Sequence, residues 1–255
     1  MADGTQRGTV AVVIPYHRAT LEAGERLAMS RCRDVLGGHP RFLAVPERLD
    51  TSALRSIDPD IQETRFGDEF FASARGYNLL CRTPEFYGRF RAFEFILIYQ
   101  LDAFVFDDQL AAWCREPWDY IGAPWPRFEH SSTSKKWYLR LPVWRLVLGR
   151  TGQGGFSLRR VAPMEAACRR LAWFVRRTEA YPEDVFWSSA LRHIAGLRLA
   201  DFETSLRFSF DGSPDLCYRL SGGRLPFGCH GWNVQPEFWQ DKIPGFPPEL
   251  RMGPQ

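Results

Sequence analysis

The sequence has few of the features that mark several common protein classes. Its six cysteines are scattered without a CxxC pair, which argues against a zinc motif and against a small disulfide-linked fold. No apolar run is long enough to span a bilayer, and residues 1–10 contain no apolar signal-peptide core. These absences favour a cytoplasmic protein with reduced thiols.

Strong charge, a dinucleotide motif and repeats are also missing. The formal net charge is only +3, which is too small to indicate a nucleic-acid partner. No GxGxxG sequence is present, so we do not expect a dinucleotide site. The 255 residues contain no repeat, low-complexity tract or linker, which predicts a single domain over 1–255 with a disordered tail at 1–8.

The most informative stretch that is present covers residues 93–108. It predicts two short strands, Phe95–Tyr99 and Ala103–Phe106, and the first reads as a central strand buried on both faces. The polar step between them ends in Asp102, and a carboxylate there is costly to bury unless it is paired, protonated or bound to a cation. Asp102 therefore either faces a ligand crevice at the carboxyl end of the strand or caps a turn.

The amino-terminal part predicts the opening of a Rossmann-like unit. A strand at Thr9–Ile14 is followed by a polar turn, a helix from about Thr20 to Leu36 with Thr20 as its N-cap, and a strand at Arg41–Val45. The turn holds Tyr16, His17 and Arg18, and the latter two could meet a diphosphate. The alternative for His17 is a solvated turn residue.

Three further groups of polar or glycine residues follow the central stretch. Gly154 and Gly155 predict a turn before a strand, where a ligand can approach the backbone closely. Glu183 and Asp184 open a helix predicted over Tyr181–Gly196, and both acids also suit simple helix capping. His230 is flanked by glycines in a predicted loop.

Two other segments carry weaker predictions. Residues 50–71 appear irregular, with several acids and a proline. Lys135–Arg150 interleaves basic and apolar residues, which suits an ordinary core element or a surface that meets a lipid-linked acceptor or anionic headgroups. The second reading would place the protein at the inner face of the cell membrane.

The order of these groups resembles that of GT-A fold glycosyltransferases. In those enzymes a strand-terminal Asp holds a divalent cation against a nucleotide diphosphate, and a late His can complete the metal site. Five segments resemble a bacterial family of uncharacterised GT-A-like domains associated with surface-polysaccharide synthesis. They are YQLDAFVF, DYIGAPW, GGFSLR, PEDVFW and PFGCHGW, spread over residues 99–232.

The resemblance implies an α/β domain with a mixed, mostly parallel central sheet flanked by helices. It implies transfer of a sugar from a nucleotide-sugar donor to a hydroxyl of a glycan or lipid-linked glycan. Asp102 and His230 would bind Mn²⁺ or Mg²⁺. The residues expected to contact the donor are Tyr16, His17, Arg18, Gln100, Asp102, Gly154 and Gly155.

The same resemblance places the catalytic base in the acidic pair and favours inversion at the anomeric carbon. Because Val185 and Phe186 should face the core, we expect Asp184 at the rim of the cleft and Glu183 closer to solvent or bonded to a backbone N–H.

One departure keeps other functions open. The usual metal motif is Asp-x-Asp, whereas this chain has Gln100 at the first position. A non-catalytic carbohydrate- or nucleotide-binding module with a decayed metal site is therefore the alternative. A nucleotidyltransferase or phosphotransferase is a further rival, although it would usually show a denser acid cluster or a phosphate loop.

Overall fold

A six-stranded mixed sheet organises the computed structural model, which describes residues 8–126, 148–178, 181–189 and 191–251. Its strands are β1 (Gly8–Pro15), β2 (Arg41–Pro46), β3 (Gln62–Phe66), β4 (Phe93–Tyr99), β6 (Tyr120–Pro124) and β7 (Thr151–Arg160). Their spatial order is β3-β2-β1-β4-β7-β6. The pairs β3-β2, β2-β1 and β1-β4 are parallel, and β7 runs antiparallel to both β4 and β6. The predicted mixed and mostly parallel sheet is confirmed.

A second, three-stranded sheet lies beyond the end of β4. It consists of β5 (Ala103–Val105), β8 (Ser209–Phe210) and β9 (Gly228–His230), in the order β5-β9-β8. β5 pairs antiparallel with β9, and β8 pairs parallel with β9. The two strands predicted around Asp102 therefore belong to different sheets.

Helices cover both faces of the central sheet. They are α1 (Ala23–Leu36), α2 (Ser52–Arg55), α3 (Ala74–Leu80), α4 (Pro84–Gly88), α5 (Leu110–Trp113), α6 (Val161–Val175), α7 (Glu183–Ser188), α8 (Leu191–Ala195), α9 (Phe202–Phe208), α10 (Pro214–Leu220) and α11 (Pro236–Trp239). Short 3₁₀ turns occupy Asp68–Phe70, Arg176–Thr178, Trp232–Val234 and Pro248–Leu250.

The core lies on both sides of the sheet, as the continuous apolar strands predict. Val12 of β1 packs in the same cluster as Met29 of α1, whereas its neighbour Val13 packs in the cluster that contains Met164 of α6. Successive residues of a strand point to opposite faces, so a strand covered on both sides needs apolar residues at every position.

Several boundaries differ from the sequence predictions. α1 begins at Ala23 rather than near Thr20, because the backbone N–H of Glu22 donates to Glu25 Oε2 (2.9 Å) and fixes the first turn there. The segment predicted to be irregular contains the edge strand β3 and the short helix α2.

The carboxy-terminal half holds three more differences. Gly154 and Gly155 lie inside β7 and not in a turn. The helix predicted over Tyr181–Gly196 is two short helices, α7 and α8. His230 is the last residue of a strand rather than part of a loop, and the left-handed residue that follows it is Gly231, with φ of 64°.

Two predictions fall partly or wholly outside the described residues. The tail at 1–8 includes Gly8, which already belongs to β1, while 1–7 lie outside. Of the stretch at 135–150, the structure describes only 148–150. None of the described helices is long and apolar enough to cross a membrane.

Candidate functional site

Asp102 lies where β4 leaves the central sheet. The backbone N–H of Gln100 donates to Gly155 O (2.9 Å), which is the last contact of this edge with β7. The N–H of Ala103 then donates to Gln100 O (2.8 Å), so the chain turns sharply and enters β5. Asp102 is half-buried in this turn, at the carboxyl end of a central strand as predicted.

The register of the small sheet places three polar side chains in a row. Ala103 of β5 pairs with His230 of β9, and the N–H of Gly231 donates to Asp102 O (2.9 Å). On the other side Phe210 of β8 pairs with Cys229, so the next residue, Asp211, comes beside His230. The order β5-β9-β8 thus becomes the order Asp102, His230, Asp211.

His230 is at the centre of this row. Together with Gln100, which also contacts His230, the three side chains form a group that we call the open cluster. Its Nε2 lies 3.0 Å from Asp102 Oδ1 and 3.0 Å from Gln100 Oε1, and its Nδ1 lies 2.7 Å from Asp211 Oδ2. Burial lowers the pKa of His230, but the charges of Asp211 and Asp102 raise it well above its usual value. Burial raises the pKa of Asp102, and the charge of His230 lowers it below the usual range.

Gly155 of β7 lies directly against the imidazole of His230. A Cβ built on Gly155 would sit 2.1 Å from His230 Nε2, so a larger residue there would displace the ring. The glycine is therefore needed for close packing and not for a turn. The sequence prediction of a turn at Gly154 and Gly155 was wrong because Gly155 serves this close packing inside a strand.

A cavity of about 850 Å³ opens beside Asp102. It is bounded by the end of β1, the start of α1 and the carboxy-terminal residues Glu249 and Leu250. Five of the residues predicted to contact a donor line it, namely Tyr16, His17, Arg18, Gln100 and Asp102. Gly154 and Gly155 do not line it.

Arg18 is held by acids at the wall of this cavity. Its Nη1 donates to Glu22 Oε1 (2.7 Å), and its Nη2 pairs with Glu25. Tyr16 Oη lies 2.8 Å from Glu25 Oε2 and 2.7 Å from Thr20 O, so its single O–H can donate to either oxygen. The positive charge of Arg18 is therefore balanced by protein carboxylates before any ligand binds.

The opposite face of β7 carries a sealed cluster, Arg159 and Glu183. Arg159 Nη1 donates to Glu183 Oε1 (2.6 Å) and to Tyr87 Oη (3.1 Å), and both charged side chains are buried. A Cβ on Gly154 would lie 2.9 Å from Glu183 Oε2. The expectation that Glu183 lies closer to solvent is wrong, because its carboxylate is the counterion of a buried guanidinium.

Asp184 differs from its neighbour in both exposure and partners. It is half-buried, and its Oδ1 accepts from its neighbouring backbone N–H at Val185 (2.7 Å). Burial, followed by the charge of Glu183, raises the pKa of Asp184 to about 7. It does not line the cavity beside Asp102, although Asp211 also contributes to its raised pKa.

The open cluster fits a cation held partly by protein and partly by a ligand. Around an octahedral cation with bonds near 2.1 Å, neighbouring ligand atoms lie about 3 Å apart. The separations of His230 Nε2 from Gln100 Oε1 and Asp102 Oδ1 match that spacing. Within the described ranges, no site offers three or more His, Cys, Asp or Glu ligands to one metal ion. The open cluster would therefore supply only part of the coordination, and the remaining ligands would come from phosphate or water.

Asp107 and Asp108, the other acids near β5, have local roles. Asp108 Oδ1 accepts from the backbone N–H of Leu110 (3.1 Å) at the start of α5, and Asp107 accepts from Gln109 Nε2 (2.9 Å). Both acids are therefore engaged by neighbouring residues of their own segment.

Three important residues were missed by the sequence predictions: Gln153, Arg159 and Asp211. Asp211 has a recognisable signal, because it follows the short apolar run Phe208-Ser209-Phe210 just as Asp102 follows β4. The partnership of Arg159 with Glu183 has no local signal, since the two residues meet only through packing of α7 on β7.

Comparison with solved structures places the chain among proteins of the GT-A fold. The galactosyltransferase LgtC, in complex with donor and acceptor sugar analogs, superposes with a TM-score of 0.52 at 13% identity, covering 94% of this chain and 98% of LgtC. An active-site mutant of LgtC superposes with a TM-score of 0.51 at 13% identity, covering 86% of each chain. At this identity the likeness concerns the fold alone.

Comparisons by sequence give a family but no curated relative. No curated protein matches the chain. A model of the family described as "Protein of unknown function (DUF5672)" matches residues 60–230. Because this match covers more than half of the sequence, the chain belongs to the DUF5672 family.

Proposed function

We propose that the protein is a metal-assisted glycosyltransferase that uses a nucleotide-diphosphate sugar as donor. The observation that carries the proposal is the convergence of Gln100, Asp102 and His230 at the carboxyl end of β4, beside a cavity of about 850 Å³. Ligands of open α/β sheets bind in this position. The similarity in fold to LgtC, a galactosyltransferase, supports the same conclusion.

The charge of the cavity supports a requirement for a cation. Its lining holds four carboxylates and one guanidinium, from Glu22, Glu25, Asp102, Glu249 and Arg18. Arg18 is already paired with two of these acids. A diphosphate entering such a cavity would be repelled unless a cation came with it.

Gln100, Asp102 and His230 would hold this cation, which we take to be Mn²⁺ or Mg²⁺. When bound, it would stabilise the negative charge that develops on the leaving diphosphate. The amide at Gln100 contributes a neutral oxygen in place of the usual first carboxylate. The protein therefore offers a weaker site than an Asp-x-Asp motif, and we expect metal and donor to bind together.

Asp184 is the proposed catalytic base, and it would take the proton from the attacking hydroxyl of the acceptor. A base works best when its pKa is near the operating pH, and the pKa of about 7 at Asp184 meets this condition. A base that activates the acceptor directly implies inversion at the anomeric carbon. The configuration of the first-formed product, read by NMR, tests this stereochemical prediction.

The acceptor is proposed in general terms, as a hydroxyl of a glycan or of a lipid-linked glycan. Bacterial surface polysaccharide remains a prediction from the sequence resemblance, and a site of action at the inner face of the cell membrane remains a prediction from the basic and apolar residues of 135–150. Peripheral membrane contact through 135–150 likewise remains a prediction.

The test is release of nucleoside diphosphate from a panel of nucleotide sugars, with Mn²⁺ and with EDTA. The proposal expects Mn²⁺-dependent release from at least one donor, and faster release when the correct glycan acceptor is added. Binding of glycans without any nucleotide binding or release would instead indicate a carbohydrate-binding module.

A further inference from the structure

The open cluster contains one carboxylate, Asp211, that the proposed function does not use. From its contacts we infer that Asp211 is a positioning residue, which sets the orientation and protonation of His230 so that Nε2 is available to a cation. Gln153 in turn holds Asp211. The inference rests on the proposed function, because it assumes that Gln100, Asp102 and His230 bind a cation.

The first step is the proton on the imidazole. Asp211 Oδ2 lies 2.7 Å from His230 Nδ1, and an ionised carboxylate can only accept a hydrogen bond. Nδ1 must therefore carry a proton. Without a cation Nε2 also carries one, because it lies 3.0 Å from the carboxylate oxygen Asp102 Oδ1, and a bound cation would replace that proton on Nε2 while Asp211 keeps the proton on Nδ1. Nε2 faces Gln100 Oε1 and Asp102 Oδ1, which are the oxygens that would share the cation.

The second step is the orientation of the ring. The backbone of His230 is fixed by pairing with Ala103 of β5, and Gly155 supports the ring from β7. Neither contact decides which ring nitrogen keeps its proton when a cation binds. Asp211 supplies that selection, and the parallel pairing of β8 with β9 brings it there.

The third step is what holds Asp211 in place. In the orientation that satisfies both of its neighbours, the amide of Gln153 donates to Asp211 Oδ2 (2.7 Å) and accepts from Trp125 Nε1 (2.6 Å). Gln153 is buried in β7, and both Gln153 and Gly155 contact members of the open cluster, Asp211 and His230 respectively. Asp211 is thus tied to the rigid central sheet.

If Asp211 had a purely structural role, removal of its charge should affect the stability of the fold more than the cation site. Buried carboxylates in this chain, such as Asp58 and Glu183, are bound by arginine. In the described part of the chain, the basic side chain paired with Asp211 is His230. Removal of the Asp211 charge should therefore affect the cation site more than the fold.

The test compares Asp211→Asn with a matched control, Asp201→Asn. Asp201 caps α9 through a bond from Thr204 N (2.7 Å) and lies outside the open cluster. Mn²⁺ binding is measured by EPR, alone and with a saturating concentration of whichever common nucleoside diphosphate the wild type binds most tightly, and thermal unfolding is followed in parallel. We expect Asp211→Asn to weaken Mn²⁺ binding about 10–100-fold, as is typical when a carboxylate behind a ligating histidine is removed.

The control and the kinetic readout separate positioning from stability. Asp201→Asn removes one carboxylate charge outside the open cluster and should leave Mn²⁺ affinity unchanged, with little change in the melting temperature because Asn caps a helix about as well as Asp. With Asp211→Asn, the Mn²⁺ concentration for half-maximal turnover should rise, while kcat at saturating Mn²⁺ should return close to that of the wild type. Equal Mn²⁺ affinity in Asp211→Asn and the wild type would overturn the inference and leave the proposed function intact.

A second variant keeps the inference testable if Asp211→Asn does not fold. Gln153→Leu leaves the carboxylate in place but removes its amide support, and it should weaken Mn²⁺ binding by less than about tenfold. Unchanged affinity in that variant would then overturn the inference. Failure of the wild type to bind Mn²⁺ with or without the nucleotide would overturn both the inference and the metal-assisted function.

Discussion

The two faces of β7 carry charged clusters built from similar groups but in different surroundings. Around Gly154, the sealed cluster pairs Arg159 with Glu183, and their side chains are only 1% and 6% exposed. Around Gly155, the open cluster places His230 against Asp102, whose side chain is 37% exposed and lines the cavity. The two clusters therefore differ more in the solvent exposure of their side chains than in the kinds of residue they contain.

The two clusters also differ in net charge, which determines whether each one favours an additional cation. One guanidinium and one carboxylate balance each other in the sealed cluster, and Tyr87 Oη accepts a further hydrogen bond from Arg159. In the open cluster two carboxylates flank one imidazole, so a negative charge remains even when His230 is protonated. The sealed cluster is satisfied internally, whereas the open cluster favours an additional cation.

The largest expected effect comes from Asp184, which follows the sealed cluster in the chain. Asp184→Asn should lower kcat by about 10²–10⁴-fold with little change in donor affinity, because a general base is lost. In the wild type, kcat/KM should rise with pH up to about 7 and then level off, since the base acts when ionised. Steady-state kinetics across about pH 5–9 would check both expectations.

Glu183→Gln is the matched control for that experiment. It leaves the buried Arg159 without its counterion and should destabilise the protein by about 3–5 kcal/mol, while kcat per folded molecule falls much less. The reverse order of catalytic losses would move the base to Glu183. Full activity in both variants would exclude both acids as the catalytic base.

The next largest effect is expected in the open cluster. Asp102→Asn keeps the size of the side chain but removes the charged oxygen that lies 3.0 Å from His230 Nε2. Metal-stimulated turnover should fall by about 10²–10³-fold, because the cation contributes several kcal/mol of transition-state stabilisation. Thermal unfolding should change little, and a variant as active as the wild type would remove Asp102 from the site.

The neighbouring glycines offer a sharper comparison of the two faces. Gly155→Ala places a Cβ against the His230 ring and should weaken Mn²⁺ binding by about 10–100-fold. Gly154→Ala places its Cβ 2.9 Å from Glu183 Oε2 and should lower the melting temperature with little change in Mn²⁺ binding. Identical behaviour of the two variants in both assays would contradict the separation of the clusters.

The smallest expected effect is the contribution of the Asp184 carboxyl group to the free energy of unfolding. Its pKa is about 7 in the folded protein and near 3.9 when unfolded, so the unfolded chain releases its proton first as pH rises. The contribution that protonated Asp184 makes to the free energy of unfolding at low pH is therefore lost between about pH 4 and 7. Asp184→Asn should match the wild type near pH 4 and exceed it at pH 8 by about 1–3 kcal/mol, less than the full shift because Asp184 is only half-buried.

Denaturant unfolding at the two pH values would measure this difference. A lower stability of Asp184→Asn at pH 8 would show that the carboxylate is stabilised by contacts rather than strained by burial. The same result would also weaken its assignment as a base with a raised pKa.

The sequence predicts those parts of the fold in which local pattern and burial agree. β1 and β4 are apolar at successive positions because both faces are covered, and this pattern is visible in the sequence. β3 was missed because this edge strand is only partly buried and reads Gln-Glu-Thr-Arg-Phe, with a single apolar residue. The break between α7 and α8 was missed because residues 188–191 include neither glycine nor proline.

The site was predictable only where chemistry shows within a single segment. Asp102 is unusual in an apolar run, and the glycines around His230 draw attention to it. Their meeting depends on the pairing of β5 with β9, which are more than a hundred residues apart in sequence. Asp211 enters through the further pairing of β8, and no local pattern specifies that register.

The most direct test of the central claim is the dependence of nucleoside diphosphate binding on Mn²⁺ in the wild type and in Asp102→Asn. Isothermal titration with the common nucleoside diphosphates, in Mn²⁺ and in EDTA, gives the affinity for each. The account predicts that Mn²⁺ tightens binding of at least one nucleotide in the wild type by tenfold or more, about 1.4 kcal/mol, and that Asp102→Asn loses this gain. Equal affinity in Mn²⁺ and EDTA for every nucleotide would contradict it.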